Sequence, residues 1–237
     1  MIYPRTRRAV RSRVGEVCLL GRTVKNFISG FFTLNTSGPC VTVFGSARIG
    51  DSHPYYAVGR AVGRRLSELG VTVMTGGGPG LMEAANRGAK DAGGRSVACN
   101  IRLPIEQMPN SFLDRYVTCH HFFVRKVLLF KYSHAFIALP GGYGTMDELF
   151  EALTLIQTGK VERFPIVLIG SNYWQPLIGF LRGMVAACTI DAADLELLLV
   201  TDDVEEAVQH VGRHLAARFD LQPASVPMTW PARSTAR

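Results

Sequence analysis

Seven short, continuously apolar runs alternate along this chain with segments of helical periodicity. They lie at 41–44, 71–74, 96–101, 116–119, 135–139, 165–169 and 197–200. A run without polar alternation belongs to a strand buried on both faces. Strands of that kind separated by helices predict an α/β fold, a Rossmann-like doubly wound parallel sheet in a single domain. Right-handed crossovers then put the C-terminal end of every strand on one edge of the sheet, where ligands bind.

Three of the runs end in glycine loops. Gly45-Ser46 follows the first, Gly76-Gly77-Gly78-Pro79-Gly80 the second, and Pro140-Gly141-Gly142-Tyr143-Gly144-Thr145 the fifth. The topology brings all three to one crevice. Backbone N–H groups and a helix N-terminus aimed at one spot suit a phosphate. Thr145-Met146-Asp147-Glu148 also fits a capping box, with the threonine as cap and the glutamate reaching back. A cap alone needs no glycine loop, whereas close backbone approach does.

Rival motifs are missing. A dinucleotide fingerprint would follow the first strand, which here offers only Gly45-Ser46-Ala47-Arg48-Ile49-Gly50. Gly159-Lys160 is followed by Val161, so there is no P-loop, and there is no Gly-x-Ser-x-Gly elbow. Two phosphate-friendly loops without a triphosphate motif point to a nucleoside monophosphate, cradled by Gly76, Gly77, Gly78 and Gly80 together with Gly141, Gly142, Tyr143, Gly144 and Thr145.

Pro140 to Glu148 resembles the signature of the Lonely Guy family of cytokinin-riboside monophosphate phosphoribohydrolases, often labelled lysine decarboxylase-like. Gly45-Ser46-Ala47-Arg48, Thr75 to Met82 and Arg125-Lys126 fall in the family's order, and the resemblance runs over 41–209. It implies a hydrolase that cleaves the N-glycosidic bond of an adenine nucleoside 5′-monophosphate, either AMP or a prenylated cytokinin nucleotide. Glu148 and Arg125 are the implied catalytic pair, and no cofactor or metal is expected. Gly45, Ser46 and Lys126 join the phosphate site by the same resemblance. Asp147, about 100° around the helix from Glu148, is assigned to a ribose hydroxyl. Glu106 resembles a substrate-binding acid of the family. Thr154 shares a helix face with Asp147 and Glu151 and is a further candidate contact. Where the family commonly has Met-His-x-Arg-Lys, this chain has Phe122-Phe123-Val124 before Arg125, which alters the expected base pocket. The alternative on the same fold is a nucleotide or molybdenum-cofactor carrier.

A chain of 237 residues with 47% hydrophobic content can bury a full core. No apolar run approaches the roughly 20 residues that span a bilayer. A soluble cytoplasmic protein with no membrane partner is expected. Five scattered cysteines with no Cys-x-x-Cys read as buried reduced thiols. The net charge of +7 sits at the ends. Residues 1–13 carry five arginines and no acid, and residues 213–237 carry four arginines against Asp220. Residues 1–38 therefore read as a basic arm with a docking segment, 39–219 as the catalytic domain and 220–237 as a tail. A basic arm can touch nucleic acid, but a solvated tail is the simpler reading. A homo-oligomer is expected, with Leu149, Phe150, Leu153 and Ile156 as candidate interface or core.

Overall fold

The computed structural model describes residues 13–35, 37–103 and 108–221. All seven apolar runs are strands of one parallel sheet: β1 (Cys40–Phe44), β2 (Thr72–Thr75), β3 (Ser96–Ile101), β4 (Arg115–Cys119), β5 (Ala135–Ala138), β6 (Ile166–Ile169) and β7 (Leu198–Thr201). Their spatial order is β4-β3-β2-β1-β5-β6-β7. The chain winds outward from β1 to β4, then returns to place β5 on the other side of β1.

Alternate side chains of each strand go to opposite faces. Val41, Val43, Ile137 and Leu139 join one core, under α2 (Pro54–Glu68), α3 (Leu81–Asp91) and α7 (Val204–Ala216). Cys40, Phe44, Phe136 and Ala138 join the other, under α4 (Phe122–Tyr132), α5 (Tyr143–Gln157) and α6 (Ser171–Ala186). Phe136 anchors that second core, with the rings of Phe44, Phe130 and Phe164 packed edge-on around it. An additional helix, α1 (Arg13–Leu34), lies beside β4 and α4. Asn26 ties it down, donating to Thr118 O at 3.4 Å and accepting from His120 N at 2.9 Å. Among the described residues, no helix is long and apolar enough to cross a membrane.

One expectation is corrected here, and one pair of alternatives is decided. Cys40, Cys99 and Cys119 are buried, but Cys18 and Cys188 are exposed. Of the candidate interface residues, Leu149 and Ile156 belong to the core. Large exposed apolar side chains gather on α1 and α4 instead, among them Val24, Ile28 and Phe32 with Phe122, Phe123 and Val127.

The contact between α2 and α3 is backbone against backbone. A Cβ on Gly63 would stand 1.9 Å from Ala85 O, and one on Gly88 would stand 1.9 Å from Arg60 O. Neither neighbour is a side chain that can swing away. Gly63→Ala or Gly88→Ala is expected to cost about 3 kcal/mol, read as a fall of about 6 to 12 °C in melting temperature. An unchanged melting temperature would show that the helices part freely.

Candidate active site

The sheet order reverses between β1 and β5, so the loops leaving these neighbours diverge and open a crevice. The three glycine loops meet there. Ser46 N donates to Pro140 O at 3.0 Å, and Leu81 N donates to Ser46 O at 3.0 Å. The crevice is a cavity of about 690 Å³, walled by Gly45, Ser46, Gly76, Gly141, Gly142, Tyr143, Gly144 and Thr145 among others.

Helix α5 starts at Tyr143, well before the apolar periodicity does. Its N-cap is Gly142, and no side chain caps it. Thr145 is the third helical residue, so the capping-box alternative falls. The first N–H groups of a helix have no partner within it, and here they open on the cavity. Thr145 is 6% exposed, with its hydroxyl over Gly141. Tyr173, from α6, donates its hydroxyl to Gly141 O at 2.5 Å and holds this loop from the far side.

The second glycine loop divides in two. Gly76 faces the cavity; Gly77, Gly78 and Gly80 do not line it. Gly77 and Gly80 adopt φ of +73° and +72°. A Cβ on Gly77 would press on Ala98, and one on Gly80 would stand 2.5 Å from Ser46 O. These glycines let chains approach each other. A buried polar network fixes them: Gly77 N donates to Thr75 Oγ1, Asn110 N donates to Gly77 O, and Asn110 Nδ2 donates to Gly78 O and Asn86 Oδ1.

Arg125 lines the cavity, and Glu148 lies behind it, beside the guanidinium and not itself part of the wall. Arg125 Nε donates to Cys99 O at 3.1 Å, and its Nη1 lies 3.9 Å from Glu148 Oε1. A Cβ on Gly76 would stand 2.9 Å from Arg125 Nη2, so only glycine admits the guanidinium this closely. Glu148 is 1% exposed, and among the described residues its Oε2 has no hydrogen-bond partner. Burial raises its pKa to about 7, against the pull of Arg125 and then Lys126. A carboxyl that gains or loses a proton near neutrality, with one oxygen uncommitted, has the properties a general acid or base needs.

Other expected site residues lie elsewhere. Lys126 Nζ is held by Asp147 Oδ1 at 2.8 Å and Glu151 Oε2 at 2.5 Å, outside the cavity wall. Burial works against its charge, but hydrogen bonds to Asp147 and Glu151 outweigh it and raise its pKa. Asp147 is likewise spent on Lys126 and does not line the cavity. Thr154 donates back to Phe150 O at 2.7 Å and lines a separate cavity beside Leu181 and Ile190. Glu106 lies outside the described residues. Three polar residues of the cavity wall were assigned no role: Arg48, which closes the Gly45-Ser46-Ala47-Arg48 run, and Asn100 and Tyr173, which belong to no motif. Arg48 sits at the end of the first glycine loop, and Asn100 is a polar interruption in an apolar run. Those were the signals available.

Fold and site together define a Rossmann-like α/β enzyme with its site at the switch point. Residues 82–211 match the family described as "Possible lysine decarboxylase". The cytokinin riboside 5′-monophosphate phosphoribohydrolase of Rhodococcoides fascians is 31% identical over 71% of this chain and 86% of its own length. The protein of the same name from Mycobacterium tuberculosis is 30% identical over 62% of this chain and 80% of its own. The chain belongs to this family, the Lonely Guy phosphoribohydrolases. The molybdenum cofactor carrier protein of Chlamydomonas reinhardtii superposes with a TM-score of 0.55 at 24% identity, covering 75% of this chain and 98% of that one; this likeness concerns the fold alone.

Proposed function

We propose that the protein hydrolyses an adenine nucleoside 5′-monophosphate to free base and ribose 5-phosphate. The observation that carries this reading is Glu148. It is buried, half-committed to Arg125, and set one turn behind the uncapped start of α5. A carrier has no need to bury a carboxylate oxygen without a partner, a cost of about 1 to 3 kcal/mol or more.

The 5′-phosphate sits on the N–H groups at the start of α5 and on the Gly45-Ser46 turn. Lys126 is occupied by two carboxylates, so the neutralising cation is Arg48, exposed on the wall formed by the first loop. The ribose then lies toward Glu148. As the C1′–N bond lengthens, its electron pair moves onto the base and positive charge grows at C1′. The ionised carboxylate stabilises that charge and takes a proton from the attacking water, whose hydroxyl joins C1′. The base leaves after gaining one proton.

The test is chromatographic detection of bases released from a panel of nucleoside monophosphates that includes AMP and an N6-prenylated AMP. Release from at least one adenine nucleotide is expected, and release from none rejects the reading. Arg48→Ala should raise KM about tenfold with little change in kcat, and should leave adenosine, which lacks the phosphate, bound as before.

A further inference from the structure

The β3 side of the cavity carries one polar side chain that the reading above leaves idle. Asn100 is next to last in β3 and 3% exposed. It shares the wall with Ile101, Leu103 and Phe122. Its Oδ1 accepts from Ile101 N at 2.7 Å. A backbone N–H can only donate, so chemistry fixes which end of the carboxamide is the oxygen. The NH2 group is therefore the end left over, and among the described residues it has no hydrogen-bond partner.

We propose that Asn100 donates a hydrogen bond to a ring nitrogen of the purine and so sets which base the enzyme accepts and how it lies. The inference rests on the nucleoside monophosphate reading and adds to it. The phosphate end of the crevice is set by the β1 and β5 loops. Arg125 reaches toward Glu148 while bonded to Cys99 O, the residue before Asn100. With phosphate and sugar so placed, the space along β3 is left for the base. Its wall there is apolar and partly aromatic, which suits a flat ring, and one placed donor gives the ring its orientation. Asn100 offers only a donor there, and N1, N3 and N7 of adenine offer only acceptors.

The test uses the full chain and competition constants for AMP and its 1-deaza, 3-deaza and 7-deaza analogues, each of which replaces one ring nitrogen by C–H. Wild type should bind one of the three about 30-fold more weakly than AMP, with the other two close to AMP. In Asn100→Ala that penalty should vanish, because the donor is gone. Asn100→Asp keeps an acceptor for Ile101 N and serves as the variant least disturbing to the fold. It should weaken AMP itself and erase the same penalty. If all three analogues bind wild type as AMP does, or if the penalty survives in both variants, Asn100 does not read the base. If AMP binds and only the discrimination is missing, the site assignment stands and Asn100 alone is removed. If neither AMP nor any analogue binds, the reading of the cavity fails and this inference fails with it.

Discussion

Glu148→Gln is expected to lower base release by about a thousandfold or more while nucleotide still binds. Glutamine fills the same space and can still receive a hydrogen bond, but it cannot take a proton from water or carry the charge that steadies C1′. The wild-type rate should climb with pH through about 7, where the buried carboxyl ionises, and level off above. The same shift has a stability consequence of fixed sign. In the unfolded chain the carboxyl ionises near the usual value of 4.5; in the fold it holds its proton to about 7. Its contribution to stability is complete below 4.5 and is lost as pH rises through 7, a loss of about 3 kcal/mol. Glu148→Gln removes that loss. Relative to wild type, the variant should therefore gain about 3 kcal/mol between pH 4 and pH 8. Denaturant melts at the two pH values measure it. A constant difference between the two proteins would mean that Glu148 titrates in the fold as it does in water.

The sheet was legible because the seven runs are mostly apolar and carry no charged residue, and the meeting of the glycine loops followed from strand order and crossover hand. The capping-box alternative would start α5 after Thr145, later than it does; Gly144 is a poor helix former, but in the first turn it is tolerated, and the dense glycines disguise the boundary. The face shared by Asp147 and Thr154 was read correctly. What failed was distance: Thr154 lies ten residues beyond Gly144, roughly 15 Å along the helix, past the crevice. The fate of Lys126 was hidden because its acids come from another helix. Tyr173 was invisible for the same reason, since only the packing of α6 brings it to Gly141. The triple glycine could not be divided into ligand-facing and packing positions without Asn86 and Asn110, whose network has no local signature.

Arg125 has two roles open to it, and one substitution separates them. Arg125→Met keeps much of the stem's bulk against Gly76 and removes the charge; base release at pH 7 is expected to fall about 100-fold. Among the groups that hold the Glu148 pKa down, Arg125 is the largest. Without it the carboxyl must ionise at higher pH, so the acidic limb of the pH–rate profile should move upward from about 7. Part of the lost rate should return in alkaline buffer, because the ionised carboxylate returns there. Arg125→Lys keeps a charge but lacks the fork that reaches Cys99 O and Glu148 at once. It should bring the limb back toward 7 and recover only part of the rate. If Arg125 served the departing base alone, the rate would fall with the limb unmoved. The geometry favours the first outcome. The guanidinium is already anchored on β3 at 3.1 Å and turned toward the carboxylate at 3.9 Å, close enough to tune its ionisation and loose enough to leave one oxygen for the reaction.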